Sequence, residues 1–411
     1  MTNTGSRNFG MGRYCVSRTL PLLGILLLLP GCGDETASWP DPEWTTFQVG
    51  GPLPGLTAEE LARWEEGLEQ FTRIWTVEEG LGPAFNENSC NACHSDPTVG
   101  GSMIEADHHA TAFVHGICDY LVEEGGGNIR RQMTEPGQAA YGAGREQTPP
   151  EASEVGRHLP ALLYGRGLME AIPAEAILAL EDPEDADADG ISGRAGRYPD
   201  GTLARFFRKA ELATLYEIAD KGLRRQMGVT TPDNPTEHPI MGEPVLPEAD
   251  PVPDPEAGPE ISRALTDYML FLAPPPTIVP GDQERRAQAA RGREVFEEIG
   301  CADCHTPVLY TGEHESEALS NRAVWLWSDL LLHDMGPELA DNCGRNAAPT
   351  EIRTEPLMGM RLKDKFLHNG VTSDLRRVIQ LHGGESAISR ERFFALPGAD
   401  QMAVERFLRT L

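Results

Sequence analysis

Two short stretches carry chemistry. SCNACHSDP at 89–97 and GCADCHTP at 300–307 each hold two cysteines separated by two residues, with a histidine immediately after. Two thiols on one turn can add to the two vinyl groups of a single haem, and the adjacent histidine then binds its iron. The residues must be contiguous because porphyrin, thioethers and iron form one rigid unit. Cys90, Cys93 and His94 are therefore assigned to one covalently bound haem c, and Cys301, Cys304 and His305 to a second. Structural zinc needs four protein ligands, usually from two such pairs close together, and these pairs stand far apart.

The elements that must position the motifs are legible in outline. AQAARGREVFEEIGCADCH is a helical run with Gly292 and Phe296 one turn apart, a small-then-aromatic spacing similar to the helix that leads into the haem site of small cytochromes c. EEGLEQFTRI, with Gly67 and Phe71, echoes it before the first motif, where the loop WTVEEGLGPAFNENS intervenes. The halves read as repeats of one haem-binding unit. The expected fold is mainly α: two cytochrome-c-like haem domains with long loops, an N-terminal one over 59–280 and a C-terminal one over 281–411. TAEE from Thr57 reads as a capping box at a helix start. Helical apolar spacing runs through VGRHLPALLYGRGLMEAIPAEAILAL and LARFFRKAELATLYEIADKGLRRQM, and a helix is expected around Ser262–Leu272. Residues 230–260, rich in proline, read as a surface loop or linker.

Composition bounds the rest. With 411 residues and a formal charge of −29, the chain is a poor phosphate-backbone binder, which excludes nucleic acid as a partner, and its acidic surface suits a basic one. Arg7, Arg13 and Arg18 precede a short apolar run, Leu20 to Leu29, and then LPGC. That run is too short to span a bilayer and reads as an export signal over 1–32. LPGC resembles the lipobox of bacterial lipoproteins with Cys32 as the acylated residue, followed by a tether over 33–58. The expected location is the periplasm or cell envelope, with an N-terminal lipid anchor as the membrane contact. Outside the cytoplasm Cys118 and Cys343 can join as a disulfide or remain free thiols, and the sequence leaves both open.

DADADG sets Asp185, Asp187 and Asp189 at alternate positions before Gly190, as in the start of a calcium loop. The glutamate of an EF-hand is missing at position 12, so a solvated acidic turn is the other reading.

The far side of each iron decides the chemistry, since two strong axial ligands make an electron carrier and an open position makes a reactive site. FLHNGVTSDLRRVIQLHGGES reads as a turn and a helix, with Ser373 as N-cap, His382 as last helical residue and Gly383 as stop. His382 is well placed to point at a cofactor. Several stretches together resemble the di-haem oxidoreductases described as peroxidases or thiol oxidoreductases, a sister family of the bacterial di-haem cytochrome c peroxidases: GLGPAFNENSCNACH, LPALLYGRGLMEAIP, DADADGISGR, SDLLLHDMGPELAD, EIRTEPLMGMRLKDKFLHNG and IQLHGGE.

The resemblance implies His94 and His305 as proximal ligands, and His382 where the peroxidases place a methionine on the electron-transfer haem. His368 matches a histidine near the second haem, with Asn369 where the peroxidases have aspartate. It implies a labile histidine downstream of the first motif, for which His109 or His108 is the choice, with His115, Met103 and Met169 as further candidates. His333 and Met335 are runner-up ligands or haem-pocket residues. Glu170 is the candidate acid for breaking an O–O bond, or else a buried partner of an arginine such as Arg166. Trp325 and Trp327 are candidates for the gap between haems, with core packing the stronger reading. The expected function is an exported di-haem c-type oxidoreductase that uses peroxide or a similar oxidant at the N-terminal haem and the C-terminal haem for electron transfer. Its redox partner would be a basic cytochrome or a protein substrate. The alternatives are a non-enzymatic electron-transfer lipoprotein and a maturation enzyme that oxidises partner side chains.

Overall fold

The computed structural model describes residues 43–121 and 127–411. The export signal, Cys32 and the first part of the tether lie outside the described residues. In chain order the framework comprises helix α1 (Ala58–Thr72), strands β1 (Asp107–Val114), β2 (Ile117–Tyr120), β3 (Asn128–Ile129) and β4 (Glu154–His158), helices α2 (Leu215–Gly222), α3 (Pro259–Phe271) and α4 (Gln283–Glu298), strands β5 (Leu332–Asp334) and β6 (Glu351–Arg353), and helices α5 (Leu375–Leu381) and α6 (Gly398–Leu408).

The helix leading into each CxxCH motif is crossed by a later helix, α1 by α3 and α4 by α6. Sequence dictates both crossings in the same way. A Cβ on Gly67 would collide with the Ala264 carbonyl and Tyr268, and a Cβ on Gly292 with the Ala403 carbonyl and Phe407. Only glycine lets the backbones approach this closely. One turn on, Phe71 packs on Tyr268 (4.6 Å between ring centroids) and Phe296 on Phe407 (5.5 Å). The start signals act as expected. Thr57 Oγ1 accepts from the Glu60 N–H (3.2 Å) while Glu60 Oε2 accepts from the Thr57 N–H (2.7 Å), closing the capping box of α1. Asp282 caps α4 by accepting from the Arg285 N–H at 2.7 Å.

The mainly helical expectation is corrected. The described residues are mixed, 34% helical and 14% strand. The largest sheet has four antiparallel strands, with β1 paired to β2, β3 and β4. Its register sets Asp107 opposite His158 and His109 opposite Gly156. The stretch from Val155 was read as helical from its apolar spacing. It opens as β4 and runs extended to two short helices, Arg166–Glu170 and Ala174–Leu178, because Pro160, Gly165 and Pro173 interrupt the ladder. Of the second helical run, the helical parts are α2 and the wide turn Leu223–Met227 that continues it. The end of the tether is also corrected: Trp44, Phe47 and Leu53 are buried, and the Leu53 N–H donates to Phe271 at 2.8 Å. The helix expected near Ser262–Leu272 is α3, and Pro259 occupies its first turn.

Replacing Gly292 by alanine should therefore cost about 1–3 kcal/mol by forcing α4 away from α6. Urea unfolding of the Gly292→Ala protein measures this. A variant as stable as the parent would mean that the close crossing is not required.

Candidate functional site

At the first motif, Cys90–Cys93 form a single helical turn and His94 caps it. The His94 Nδ1–H donates to the Gly101 carbonyl at 3.0 Å. Phe71 stands 6.1 Å from the His94 ring, so the α1–α3 crossing sets the ring's position. The second motif repeats the arrangement. His305 Nδ1–H donates to the Trp327 carbonyl at 3.0 Å, and Phe296 stands 6.2 Å from the ring. Burial pushes both imidazoles down to about 4, so they are neutral at physiological pH. A neutral imidazole whose Nδ1–H is tied to a carbonyl carries its lone pair on Nε2, the form that binds a metal. Burial pushes the thiols of Cys90, Cys93 and Cys301 up to about 12 and raises that of Cys304, and none of the four is disulfide-bonded.

One cavity is lined by Cys90, Cys93 and His94 together with Asp107, His109 and His158. Strand alternation separates the two histidine candidates: His109 is buried on the cavity side of β1, and His108 is exposed. His115 lies in the β1–β2 turn. The His158 ring stacks on His109, with centroids 4.5 Å apart, and its Nε2 meets Asp341 Oδ2 at 2.5 Å. His368 reaches the same carboxylate oxygen at 3.4 Å. Burial works to raise the Asp341 carboxyl, but His158 and His368 beside it hold it well below the usual carboxylate range. Burial pushes His368 down to about 3 against the pull of Asp341. His368 was expected near the second haem and instead backs the first cavity.

His158 and Asp341 were missed as site residues. Asp341 stands two residues before Cys343, which forms a disulfide with Cys118 on β2 (Cα–Cα 5.7 Å). The Cys343 N–H also donates to Thr111 Oγ1 on β1 at 3.2 Å. That cysteine pairing was the one signal that could have brought Asp341 to the cavity.

At the second motif, His382 is the C-cap of α5, and its Nδ1–H donates to the Val378 carbonyl at 2.8 Å. Burial lowers its pKa, and its charge acts on His305, so the two rings are electrostatic neighbours. The N-cap of α5 is Asp374 rather than Ser373. His333 has no ring nitrogen left to ligate iron. Its Nε2 meets Asp329 Oδ2 at 2.9 Å and its Nδ1 meets Glu385 Oε2 at 2.8 Å, so neither nitrogen has a free lone pair. Burial disfavours its charge, yet Asp329, Cys304 and Glu385 hold the imidazole protonated, up to about 12. It lies 3.7 Å from Cys304 Sγ, as a fixed cation beside the second attachment site. Trp327 packs between Phe296 and Phe407, with Trp325 6.2 Å from it, so both tryptophans belong to the packing behind His305.

Glu170 does not line the first cavity. It accepts from the Leu215 N–H at the start of α2, and burial raises its pKa. The buried partner of Arg166 is Glu355. Met169 accepts from Arg166 Nη1 through its sulfur at 3.3 Å. In the acidic loop, Asp185 and Asp187 converge with Asp182 while Asp189 turns to accept from the Ile191 N–H. Each of the converging three also accepts from a backbone N–H of its own loop.

Residues 151–411 match the family described as "Di-haem oxidoreductase, putative peroxidase". The chain belongs to that family. It is an oxidoreductase, and the family implies two haem groups. The matched stretch holds the second CxxCH motif together with His158, Asp341 and His382, and the first motif precedes it. No curated protein matches the sequence. Among solved structures, a hydrazine synthase from Kuenenia stuttgartiensis is similar at 13% identity over 96% of this chain and 99% of that one, with a TM-score of 0.40. The diheme peroxidase BthA from Burkholderia thailandensis is similar at 15% identity over 88% of this chain and 87% of that one, with a TM-score of 0.42. These likenesses are remote. The donor set fits two haems: two pairs of free thiols, each followed by a neutral, tethered imidazole.

The His333 trio gives a test of sign. The folded imidazole titrates near 12 against an ordinary 6.5, so its stabilisation is complete below 6.5 and fades as pH rises towards 12. His333→Gln strands two buried carboxylates and should cost about 3–5 kcal/mol at neutral pH. In urea unfolding the gap to the parent should narrow by pH 9. A gap that widens would mean the imidazole is neutral in the folded protein.

Proposed function

We propose that this oxidoreductase is an exported di-haem c-type peroxidase that consumes hydrogen peroxide or a similar small oxidant at the first site and moves electrons through the second. The observation that carries the reading is the His158–Asp341 pair, which places a proton-handling imidazole in the wall of the cavity shared by Cys90, Cys93 and His94. Cys90 with Cys93, and Cys301 with Cys304, would each hold a haem by thioethers. His94 and His305 would be its iron ligands, with His382 the second ligand at the C-terminal site. Bound haem supplies an iron that takes up the oxidant and exchanges electrons.

The chain supplies the rest. Asp341 fixes the His158 ring through Nε2, which leaves Nδ1 to take a proton from one oxygen of the oxidant and return it to the departing oxygen. His109 stacks against that ring and would offer a further nitrogen to the iron at the first site. At the second site His382 would hold the iron together with His305, and a haem so held would carry electrons without admitting an oxidant. The calcium expectation at Asp185, Asp187 and Asp189 is not part of the proposal, because only the loop's own carboxylates point to a cation there.

Export is supported by the signal-like residues 1–32, and Cys32 by its lipobox context. The Cys118–Cys343 disulfide suits an oxidising compartment such as the periplasm or cell envelope. A charge of −29 favours a basic cytochrome, or a basic surface on a protein substrate, as the electron donor.

Low-temperature EPR of the oxidised protein lacking residues 1–32 should show one site that responds to peroxide and one low-spin site that does not. His158→Ala should lower peroxide turnover about 10²–10⁴-fold with both haems retained. Two low-spin sites that persist on partial reduction and ignore peroxide would sink the reading.

A further inference from the structure

One corner of the first cavity crowds four buried or half-buried cations around one carboxylate. Arg166, Arg208 and Arg353, only 6%, 7% and 2% exposed, line it on the same side as Glu355. All three converge on that group. Arg166 Nη2 lies 3.3 Å from Oε1, while Arg208 Nη1 and Arg353 Nη2 lie 2.6 and 2.9 Å from Oε2. Lys363 acts on the same carboxylate. Three guanidiniums and an ammonium thus share one negative charge.

Their other N–H groups bring no further anion. Arg208 also donates to the Leu159 carbonyl, Arg353 to the carbonyls of Phe207 and Thr354, and Arg166 to the Leu162 carbonyl and the Met169 sulfur. Burial pushes Arg353 down to about 10 and Lys363 down to about 8, although Glu355 pulls both the other way. Glu355 sits deep in the protein yet its side chain keeps 27% of its surface, because it opens onto the cavity.

Buried cations in such excess call for anions. Planar guanidiniums suit carboxylates in particular, which they can grip with two parallel hydrogen bonds. We propose that Arg166, Arg208, Arg353 and Lys363 form a clamp for the two propionate carboxylates of the haem attached at Cys90 and Cys93, with Glu355 holding the cations apart and in place. This rests on the first site holding haem, as proposed above. The clamp also fixes where the macrocycle's polar edge lies, because the thioethers pin the opposite side. It faces the C-terminal half: Arg353 ends β6, which pairs with β5, and the Thr354 carbonyl accepts from Ser328 Oγ at 2.7 Å, one residue after the Trp327 that tethers His305.

The test uses the mature holoprotein, with haem counted by pyridine haemochrome and each midpoint potential read by spectroelectrochemistry. Cations near the propionates favour the reduced haem, which carries one more negative charge. Arg208→Gln should shift the first haem's equilibrium about tenfold towards the oxidised form, 59 mV for one electron. The second haem should stay in place, and Arg208→Lys should recover most of the shift. Lys363→Gln should act in the same direction and decides the matter if Arg208→Gln does not fold. Two haems per chain with an unmoved first potential would overturn the clamp and leave the peroxidase reading intact. Equal shifts at both haems would also overturn it, as a general field. One haem per parent chain would overturn the first-site reading and the clamp with it.

Discussion

Everything at the two motifs hangs on how closely two helices can cross. A histidine can serve as a fixed iron ligand only if its ring is held on more than one side, and a CxxCH loop has little packing of its own. Here the support comes from a neighbouring crossing, where glycine lets one backbone lie against another. The phenylalanine one turn on is then pressed between the crossing helix and the imidazole. The carbonyl bound to each Nδ1–H completes the arrangement by selecting the tautomer. The same device occurs twice because the same problem does.

The two halves differ in what surrounds that shared frame. The C-terminal site is closed by residues close to it in sequence, with α5 and the His333 trio all within the last third of the chain. The N-terminal cavity borrows from far away. Asp341, Arg353 and Glu355 come from the other end of the chain, and the Cys118–Cys343 bond holds the loop bearing Asp341 against the sheet. The first site is therefore a property of the whole chain, while Cys90, Cys93 and His94 belong to a local unit.

This difference explains what the sequence could and could not show. The glycine–aromatic spacing, the capping box at Thr57 and the existence of a helix before His382 are local patterns, legible because contiguous residues make them. His158 and Asp341 meet across 183 positions, and no local pattern encodes such a pairing. The sheet was missed for a related reason: the short strands from Asp107 to His158 carry too few alternations to stand out against helical spacing. Glu170 kept two readings, catalyst or buried helix-end acid beside an arginine, because both have the same neighbours in sequence, and the Leu215 contact favours the second.

The pairing of β1 with β4 has an evolutionary consequence. Along a strand, successive side chains point to opposite faces, so sliding this pair by a single residue would turn His109 and His158 outward and bring His108 and Arg157 in. Residues 147–151 run over the surface and can gain or lose residues with little effect, unlike the buried Glu146 before them, which pairs with Arg130. Inside the strands, one inserted residue would exchange a wall of imidazoles for a guanidinium. Drift in this family should therefore be tolerated in length around the sheet and forbidden within it, with the ladder acting as a ruler for the chemistry.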